Sequence, residues 1–172
     1  TISPDESHHV IDGQPAYKAQ FQKVLKFHEP GLAPVYDTSG AYHINSTGQP
    51  AYMERYIRSF GFYQGRAAVQ SKDGWFHITA NGRPLYGDRY SWCGNFQDGL
   101  CTVRHNDGLY SHINLYGATI YPEKYKYAGD YHDGSAVVQR NDGLHTHIDE
   151  AGQMLHSKWF KDADVYHKGY AR

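Results

Sequence analysis

Residues 65–69 read Gly-Arg-Ala-Ala-Val, residues 99–103 read Gly-Leu-Cys-Thr-Val, and residues 134–138 read Gly-Ser-Ala-Val-Val. Each stretch is a glycine followed by small, mostly apolar residues, and the stretches begin 34 and then 35 residues apart. A fixed period of this length is the signature of a repeat architecture. We therefore interpret the 172-residue chain as about five copies of one unit. The opening glycines are Gly31, Gly65, Gly99, Gly134 and Gly169.

Three further landmarks recur inside each copy. A second glycine follows the opening one after nine residues, a His-Ile pair comes next, and a third glycine lies five residues beyond the histidine. The second glycines are Gly40, Gly74, Gly108 and Gly143. The histidines are His43, His77, His112 and His147, and the third glycines are Gly48, Gly82, Gly117 and Gly152.

These landmarks predict short strands separated by turns. Asp-Gly at 73–74, 107–108 and 142–143 lies between two apolar segments, which predicts a hairpin of the first two strands. The third glycine turns the chain into a third strand, and a fourth strand of variable sequence, such as 91–96, leads into the next copy. Because 34 residues are few for four strands, sheets of only three are an alternative. Gly or Pro interrupts nearly every window, so no helix is expected.

The two ends of the chain predict the architecture. Complete units occupy 31–64, 65–98, 99–133 and 134–168, and the remaining segments, 169–172 and 1–30, together make one further unit. A closed β-propeller joins its ends by building one blade from both termini, and closure removes exposed sheet edges. We therefore predict a single all-β domain that forms a closed five-bladed propeller. The alternative is an open β-solenoid.

Charge and composition exclude several classes of function. The chain carries 17 basic and 18 acidic residues without a run of either sign, so no nucleic-acid patch or basic membrane anchor is expected. No apolar run approaches the roughly 20 residues of a membrane span. Cys93 and Cys101 lack a CxxC context and are predicted to be buried free thiols. No phosphate-binding loop or nucleophile motif occurs. We expect a soluble monomer without cofactors.

The repeat resembles the bacterial WG (KWG) repeat over nearly the whole chain. The shared pattern is a glycine, a small-apolar strand, a turn glycine with an aromatic residue, a second turn glycine and a Tyr-x3-Tyr ending. Only Gly74-Trp75 keeps the tryptophan of that family, and Phe76 replaces the glycine that usually follows it. The resemblance implies a bacterial module, often part of a larger polypeptide, for which we expect the cytoplasm. It implies no particular ligand or reaction.

The repeated polar residues are interpreted as structural. A catalytic group is needed once, whereas a histidine in every unit suggests a bond to the backbone of a neighbouring blade. His145 and His147 share a strand face, yet no third ligand is evident, so no metal site is predicted. The acidic-basic-aromatic triplets, such as Glu54-Arg55-Tyr56, are expected to form ion pairs with adjacent units. No carboxylate pair of a glycosidase can be selected, and we predict no enzyme and no catalytic residue.

Residues that differ between copies are better candidates for ligand binding. Aromatic rings in the variable fourth strands can stack on sugars or anchor a protein interface. Filling the space between blades is the alternative role. The sequence predicts a module that docks a protein partner or a substrate, with a lectin-like glycan binder as the alternative. The candidate ligand-binding residues are Phe62, Tyr63, Trp92, Tyr127, Tyr131 and Tyr166.

Overall fold

The computed structural model describes residues 1–165, and every regular element in them is a β-strand. These strands have two to six residues each, and many of the turns between them contain a glycine. The strands are β1 (Val10–Ile11), β2 (Gln14–Pro15), β3 (Lys23–Val24), β4 (Ala33–Asp37), β5 (Gly40–Ile44), β6 (Arg58–Tyr63), β7 (Arg66–Ser71), β8 (Gly74–Ile78), β9 (Trp92–Cys93), β10 (Leu100–Arg104), β11 (Tyr110–Asn114), β12 (Tyr127–Ala128), β13 (Ser135–Gln139) and β14 (His145–Asp149). The prediction of an all-β repeat is confirmed.

The strands form five antiparallel sheets in two compact units. The first unit, Thr1–Asp88, contains the sheets β1-β2, β3-β4-β5 and β6-β7-β8. The second unit begins at Arg89 and contains β9-β10-β11 and β12-β13-β14. The larger sheets have three strands, so the alternative with three strands is confirmed for them. In β9-β10-β11, for example, Arg104 pairs with Trp92 on one side and with Tyr110 on the other.

The tightest hairpins lie between neighbouring sequence units. Asp98-Gly99 and Asp133-Gly134 each place two consecutive residues at positive φ, as a type I′ turn requires, and Gln64-Gly65 does the same between β6 and β7. Each three-stranded sheet therefore takes its first strand from the end of the preceding unit. The expected fourth strand is thus the outer strand of the next sheet. The predicted hairpin at 73–74 is also confirmed, because β7 and β8 pair across it.

In the four complete repeats the third glycine does not lead into a regular strand, contrary to the prediction. It is followed by an isolated bridge, such as Ile78 to Pro84 or Ile113 to Thr119. Its position is set by packing: a Cβ on Gly82 would lie 2.6 Å from Cγ of Tyr52, and the glycine has a φ of +80°. The missing side chain therefore lets the turn rest on the ring of the preceding repeat.

Each unit has its own apolar core, built from the same repeat positions. In the first unit, Val35 on β4 and Val69 on β7 belong to one core with Ile44 and Ile78, which lie on the neighbouring strands β5 and β8. In the second unit, Val138 and Ile148 occupy the matching places, and Tyr121 corresponds to Tyr52 of the first core. Small β-branched residues fit the strands, while tyrosines fill the larger spaces between sheets.

Both cysteines are buried free thiols, as predicted, with exposures of 0% for Cys93 and 2% for Cys101. The described part of the chain includes no helix of the length and apolarity needed to cross a membrane. The N-terminal piece pairs Val10–Ile11 with Gln14–Pro15. Its predicted completion by 169–172 lies outside the described residues, so closure of the ring stays a prediction.

Candidate binding site

The repeated histidines hold neighbouring sheets together through hydrogen bonds. His43 Nε2 bonds the Phe60 carbonyl oxygen of the next sheet at 2.7 Å, and its Nδ1 bonds the Tyr52 hydroxyl at 2.5 Å. His112 makes the same pair of bonds, to Gly129 at 2.7 Å and to Tyr121 at 2.6 Å. The predicted bond to a neighbouring backbone is thereby confirmed. The tyrosine partner was noticed in the sequence only as the end of the repeat.

Burial of these histidines keeps them neutral. It lowers the pKa of His43 and of His112 from 6.5 to about 4, against a smaller opposite effect of the bond to the backbone carbonyl. It also raises the pKa of the bonded tyrosines, Tyr52 and Tyr121. The carbonyl bond requires a proton on Nε2, so Nδ1 accepts the hydrogen bond from the tyrosine hydroxyl. Neither ring nitrogen is left for a substrate.

In two of the three triplets the cation binds within its own repeat, whereas ion pairs between adjacent repeats were expected. Lys124 binds Asp107 of its own unit at 2.9 Å. Arg55 donates from Nε to Ser39 Oγ and stacks 3.6 Å from the centre of the Tyr42 ring. Both cations therefore close turns within their own repeats. Among the described residues, no group of three or more His, Cys, Asp or Glu side chains could hold a metal ion.

Phe62 and Tyr131 are not exposed, so they take the alternative role that the sequence left open, which is to fill the space between sheets. Each is only 2% exposed and packs on the histidine of the preceding sheet, with ring centres 4.6 Å apart in both pairs. The Tyr131 hydroxyl also donates to the Asp149 carbonyl oxygen at 2.7 Å. Both aromatics lie three residues before an opening glycine. That fixed spacing marks them as repeated scaffold.

Trp92 and Tyr127, in contrast, lie in one cavity of the second unit. The cavity has a volume of about 280 Å³. Tyr127 is 47% exposed and its ring centre lies 5.7 Å from that of Tyr110. We call this cavity the aromatic pocket. It is lined chiefly by Trp92, Thr102, Arg104, Tyr110, Tyr127 and Asp130.

Strand register explains why these side chains meet. Trp92, Arg104 and Tyr110 are directly opposite one another on β9, β10 and β11, so they form a row on one face of the sheet. Thr102 lies two residues before Arg104 and shares that face. The first strand of the next sheet, β12, contributes Tyr127, and Asp130 follows it. The pocket therefore lies between two sheets of the same unit.

The pocket contains a cation and a carboxylate, each fixed by a neighbouring hydroxyl. Arg104 Nε donates to Ser91 Oγ at 2.9 Å. Thr102 Oγ1 donates to Asp130 Oδ1 at 2.7 Å. Arg104 and Asp130 form no salt bridge with each other in the described part of the protein. The pocket therefore offers separate donors and acceptors between aromatic rings.

The same row has a different composition in the first unit. There the sheet β3-β4-β5 has Lys23, Tyr36 and Ala41 at the matching positions. The Tyr36 hydroxyl reaches the next sheet and donates to the Ser59 carbonyl oxygen at 3.0 Å. Tyr36 thereby bonds the next sheet, whereas Arg104 at the matching position donates to Ser91. The row in β3-β4-β5 therefore lacks the side chains that line the aromatic pocket.

A larger recess of about 510 Å³ lies elsewhere in the second unit, and three of the four charged side chains that line it form ion pairs. Arg140 binds Asp142 and stacks 4.2 Å from the centre of the Trp159 ring. Lys124, on another wall, is bound to Asp107. These contacts stabilise the turns that line the recess. The walls of the recess thus contain ion pairs, whereas Arg104 and Asp130 of the aromatic pocket form none with each other.

The remaining predicted residues lie elsewhere. Tyr63 is 37% exposed, and its ring centre is 4.7 Å from that of His28 in the first unit. Tyr166 lies outside the described residues. The sequence interpretation missed Arg104, Tyr110 and Asp130, although Arg104 stands where the repeat before it has Gln70 and the repeat after it has Gln139. That departure from the repeat was the available signal.

Comparison with known proteins shows the fold. No protein-family model matches the sequence, and no curated protein is significantly similar to it. The crystal structure of BamB from Moraxella catarrhalis matches with a TM-score of 0.56 and 12% identity, over 87% of this chain and 54% of that one. The computationally designed Ika8 protein matches with a TM-score of 0.53 and 14% identity, over 90% of this chain and 57% of that one.

This chain thus spans just over half the length of each of these two structures. BamB is a β-propeller protein, and the five successive antiparallel sheets correspond to blades. The predicted five-bladed β-propeller fold is confirmed.

Proposed function

We propose that this chain is a non-catalytic β-propeller module that docks a protein partner, or the substrate of an enzyme, through the aromatic pocket. The observation that carries the proposal is the pocket's composition. Trp92, Tyr127 and Arg104 line one cavity, and these residue types dominate the binding energy of protein interfaces. Propeller proteins, the fold class of the structural neighbours, commonly mediate protein interactions. Side chains that recur in every repeat build the scaffold, so the residues that differ at this position are available to recognise a ligand.

The occupation of the repeated histidines supports a non-catalytic role. A general base needs a nitrogen within hydrogen-bond reach of the substrate. In His9, His43 and His112, one ring nitrogen bonds a tyrosine hydroxyl and the other bonds a backbone carbonyl oxygen. These side chains hold sheets together and have no nitrogen left for proton transfer.

Membership of the bacterial WG (KWG) repeat family is part of the same proposal. The spacing of glycines, the Gly74-Trp75 pair and the Tyr-x3-Tyr ending support it. A member of that family is expected to serve as one module of a larger bacterial polypeptide. In that setting, a docking propeller would deliver a partner or substrate to a neighbouring domain.

Glycan binding is the second candidate function. Partly exposed rings beside Arg104 and Asp130 could stack on a sugar face while the charged groups bond its hydroxyls. A lectin propeller, however, would be expected to repeat its site in successive blades. The aromatic pocket has no counterpart at the matching row of β3-β4-β5, where Tyr36 bridges the sheets. Docking is therefore the better-supported function.

One experiment compares the two candidates directly. A phage-displayed peptide library and a glycan array are each screened against the wild-type protein, the double variant Trp92→Ala/Tyr127→Ala, and the control Tyr116→Ala. Tyr116 is 81% exposed and lies outside the pocket. We expect peptides that bind wild type and Tyr116→Ala but lose at least about tenfold in affinity to the double variant. Glycans with that pattern would establish the lectin instead, and ligands that bind all three proteins equally would overturn the pocket as the site.

A further inference from the structure

We infer that the group which the aromatic pocket recognises is an unmodified tyrosine side chain of the partner. Its ring would lie against the rings of Trp92, Tyr110 and Tyr127, and its hydroxyl would bond Arg104 and Asp130. The inference rests on the proposed docking function and names the anchor that a partner inserts.

Cavity size and wall chemistry favour a single aromatic ring. The volume of about 280 Å³ lies just below the roughly 300 to 1,000 Å³ of pockets that hold small-molecule ligands. One large side chain suits such a space better than a folded segment does. Aromatic pairs attract each other more strongly than the burial of their area alone accounts for. A ring inserted beside Tyr110 and Tyr127 would extend their existing contact.

The charged pair selects the polar group on that ring. A hydroxyl donates one hydrogen bond and accepts others, so it can donate to Asp130 and accept from Arg104 at once. Ser91 and Thr102 already hold these two side chains, which lowers the cost of ordering them around a ligand. The two charges are opposite and form no ion pair with each other. A neutral group that both donates and accepts hydrogen bonds therefore matches them best.

Arg104 and Asp130 also disfavour other side chains that could enter the pocket in place of tyrosine. A phosphate or sulfate on the tyrosine would bring negative charge to Asp130, and a lysine would bring positive charge to Arg104. A phenylalanine would fill the pocket but leave both charged groups without a partner from the ligand. Groups that lose such bonds on burial oppose binding. Recognition should therefore rank tyrosine above phenylalanine and phosphotyrosine.

The test titrates N-acetyl-L-tyrosine amide and follows the indole N–H signal of Trp92 by NMR. The signal is assigned by its loss in Trp92→Phe, and the indole signals of Trp75 and Trp159 report that each variant remains folded. We expect a saturating shift of the Trp92 signal. The phenylalanine amide should bind at least about threefold more weakly, and O-phosphotyrosine amide more weakly still. In Asp130→Ala, the preference for the tyrosine amide over the phenylalanine amide should be smaller than in wild type, because only the bond from Arg104 remains.

Three results would overturn the inference, and they differ in what they leave standing. Equal binding of the tyrosine and phenylalanine amides to wild type would refute hydroxyl recognition, while docking through an aromatic anchor would stand. No shift with either amide, in a protein that still selects pocket-dependent peptides, would refute the tyrosine anchor alone. A shift with a methyl glycoside and none with the amides would refute both the anchor and the docking function.

Discussion

The buried histidine of each repeat shows how one side chain can hold two sheets together. His43 lies on β5 and bonds a backbone oxygen of β6, while its second nitrogen receives the hydroxyl of Tyr52. Both bonds require the neutral imidazole in a single tautomer. Protonation would put a hydrogen on Nδ1 facing the tyrosine hydroxyl and place an uncompensated charge in the core. The fold therefore depends on pH through these residues.

We predict that the protein loses stability as the pH falls from 6.5 toward about 4, the folded-state pKa of His43 and His112. Below the ordinary pKa, the unfolded chain binds protons that the folded chain does not, so acid favours unfolding. Each of these two histidines should contribute about 2 kcal/mol of loss between pH 7 and pH 4.5. Urea unfolding at both pH values measures the effect.

A variant separates this contribution from general acid sensitivity. His112→Gln should be less stable at pH 7 yet lose about 2 kcal/mol less than wild type between the two pH values. His8→Gln, at a half-buried site outside the His-Tyr pairs, is the control and should follow wild type. An unchanged pH dependence in His112→Gln would refute the argument.

At the scale of the element, the glycine turns place each repeat on the one before it. Gly48 rests on the Tyr17 ring, Gly82 on the Tyr52 ring and Gly152 on the Tyr121 ring. The tyrosine is itself fixed by its histidine, so turn, ring and sheet form one chain of contacts. Contact with the tyrosine ring explains why this position is a glycine, whereas the sequence alone indicates only that it lies in a turn.

We predict that Gly82→Ala destabilises the protein far more than Gly65→Ala does. Both glycines have positive φ, at 80° and 75°, so each alanine carries a backbone cost of about 1 kcal/mol. Only at Gly82 would the new methyl group also meet the Tyr52 ring, at 2.6 Å. An additional loss of about 1–3 kcal/mol is expected from this overpacking.

Thermal or urea unfolding of the two glycine variants measures that difference. Equal losses would mean that the tyrosine ring moves aside at no cost, and the contact would then not explain the glycine.

At the scale of the whole molecule, the two cysteines report on opening of the fold. Cys93 and Cys101 are buried in the second unit, and burial raises the pKa of the Cys101 thiol well above its ordinary value. Thiol reagents attack the thiolate, so access and ionisation both require unfolding. We predict no reaction with Ellman's reagent in buffer at pH 8 and release of two equivalents in urea. Rapid reaction of the native protein would contradict the burial.

The repeat period was enough to predict the all-β fold, the hairpins and the structural histidines, because each of these depends on contacts that recur in every copy. The sheet boundaries were harder to predict. A strand pairs across the turn at Asp98-Gly99, so a sheet crosses the limits drawn at the opening glycines. The repeat period does not show to which of two neighbouring sheets a strand at such a boundary belongs.

The candidate site was predicted only in part. Trp92 and Tyr127 were identified because they depart from the repeat, and the structure brings them together. Phe62 and Tyr131 were grouped with them because both end a variable segment, yet their rings fill a repeated place against a histidine. Arg104 was missed because its importance comes from cross-strand pairing, which a linear pattern does not contain.

The central claim is that repeated side chains build the scaffold while side chains outside the repeat are free to bind. Tyr127 and Tyr131 are four residues apart, and the claim assigns one to each class. In urea unfolding, we predict that Tyr131→Ala costs at least about 3 kcal/mol, as expected for a buried aromatic. Tyr127→Ala should cost less than about 1 kcal/mol, because 47% of its surface is exposed. A comparable loss in both variants would show that Tyr127 also belongs to the scaffold, and would contradict the claim.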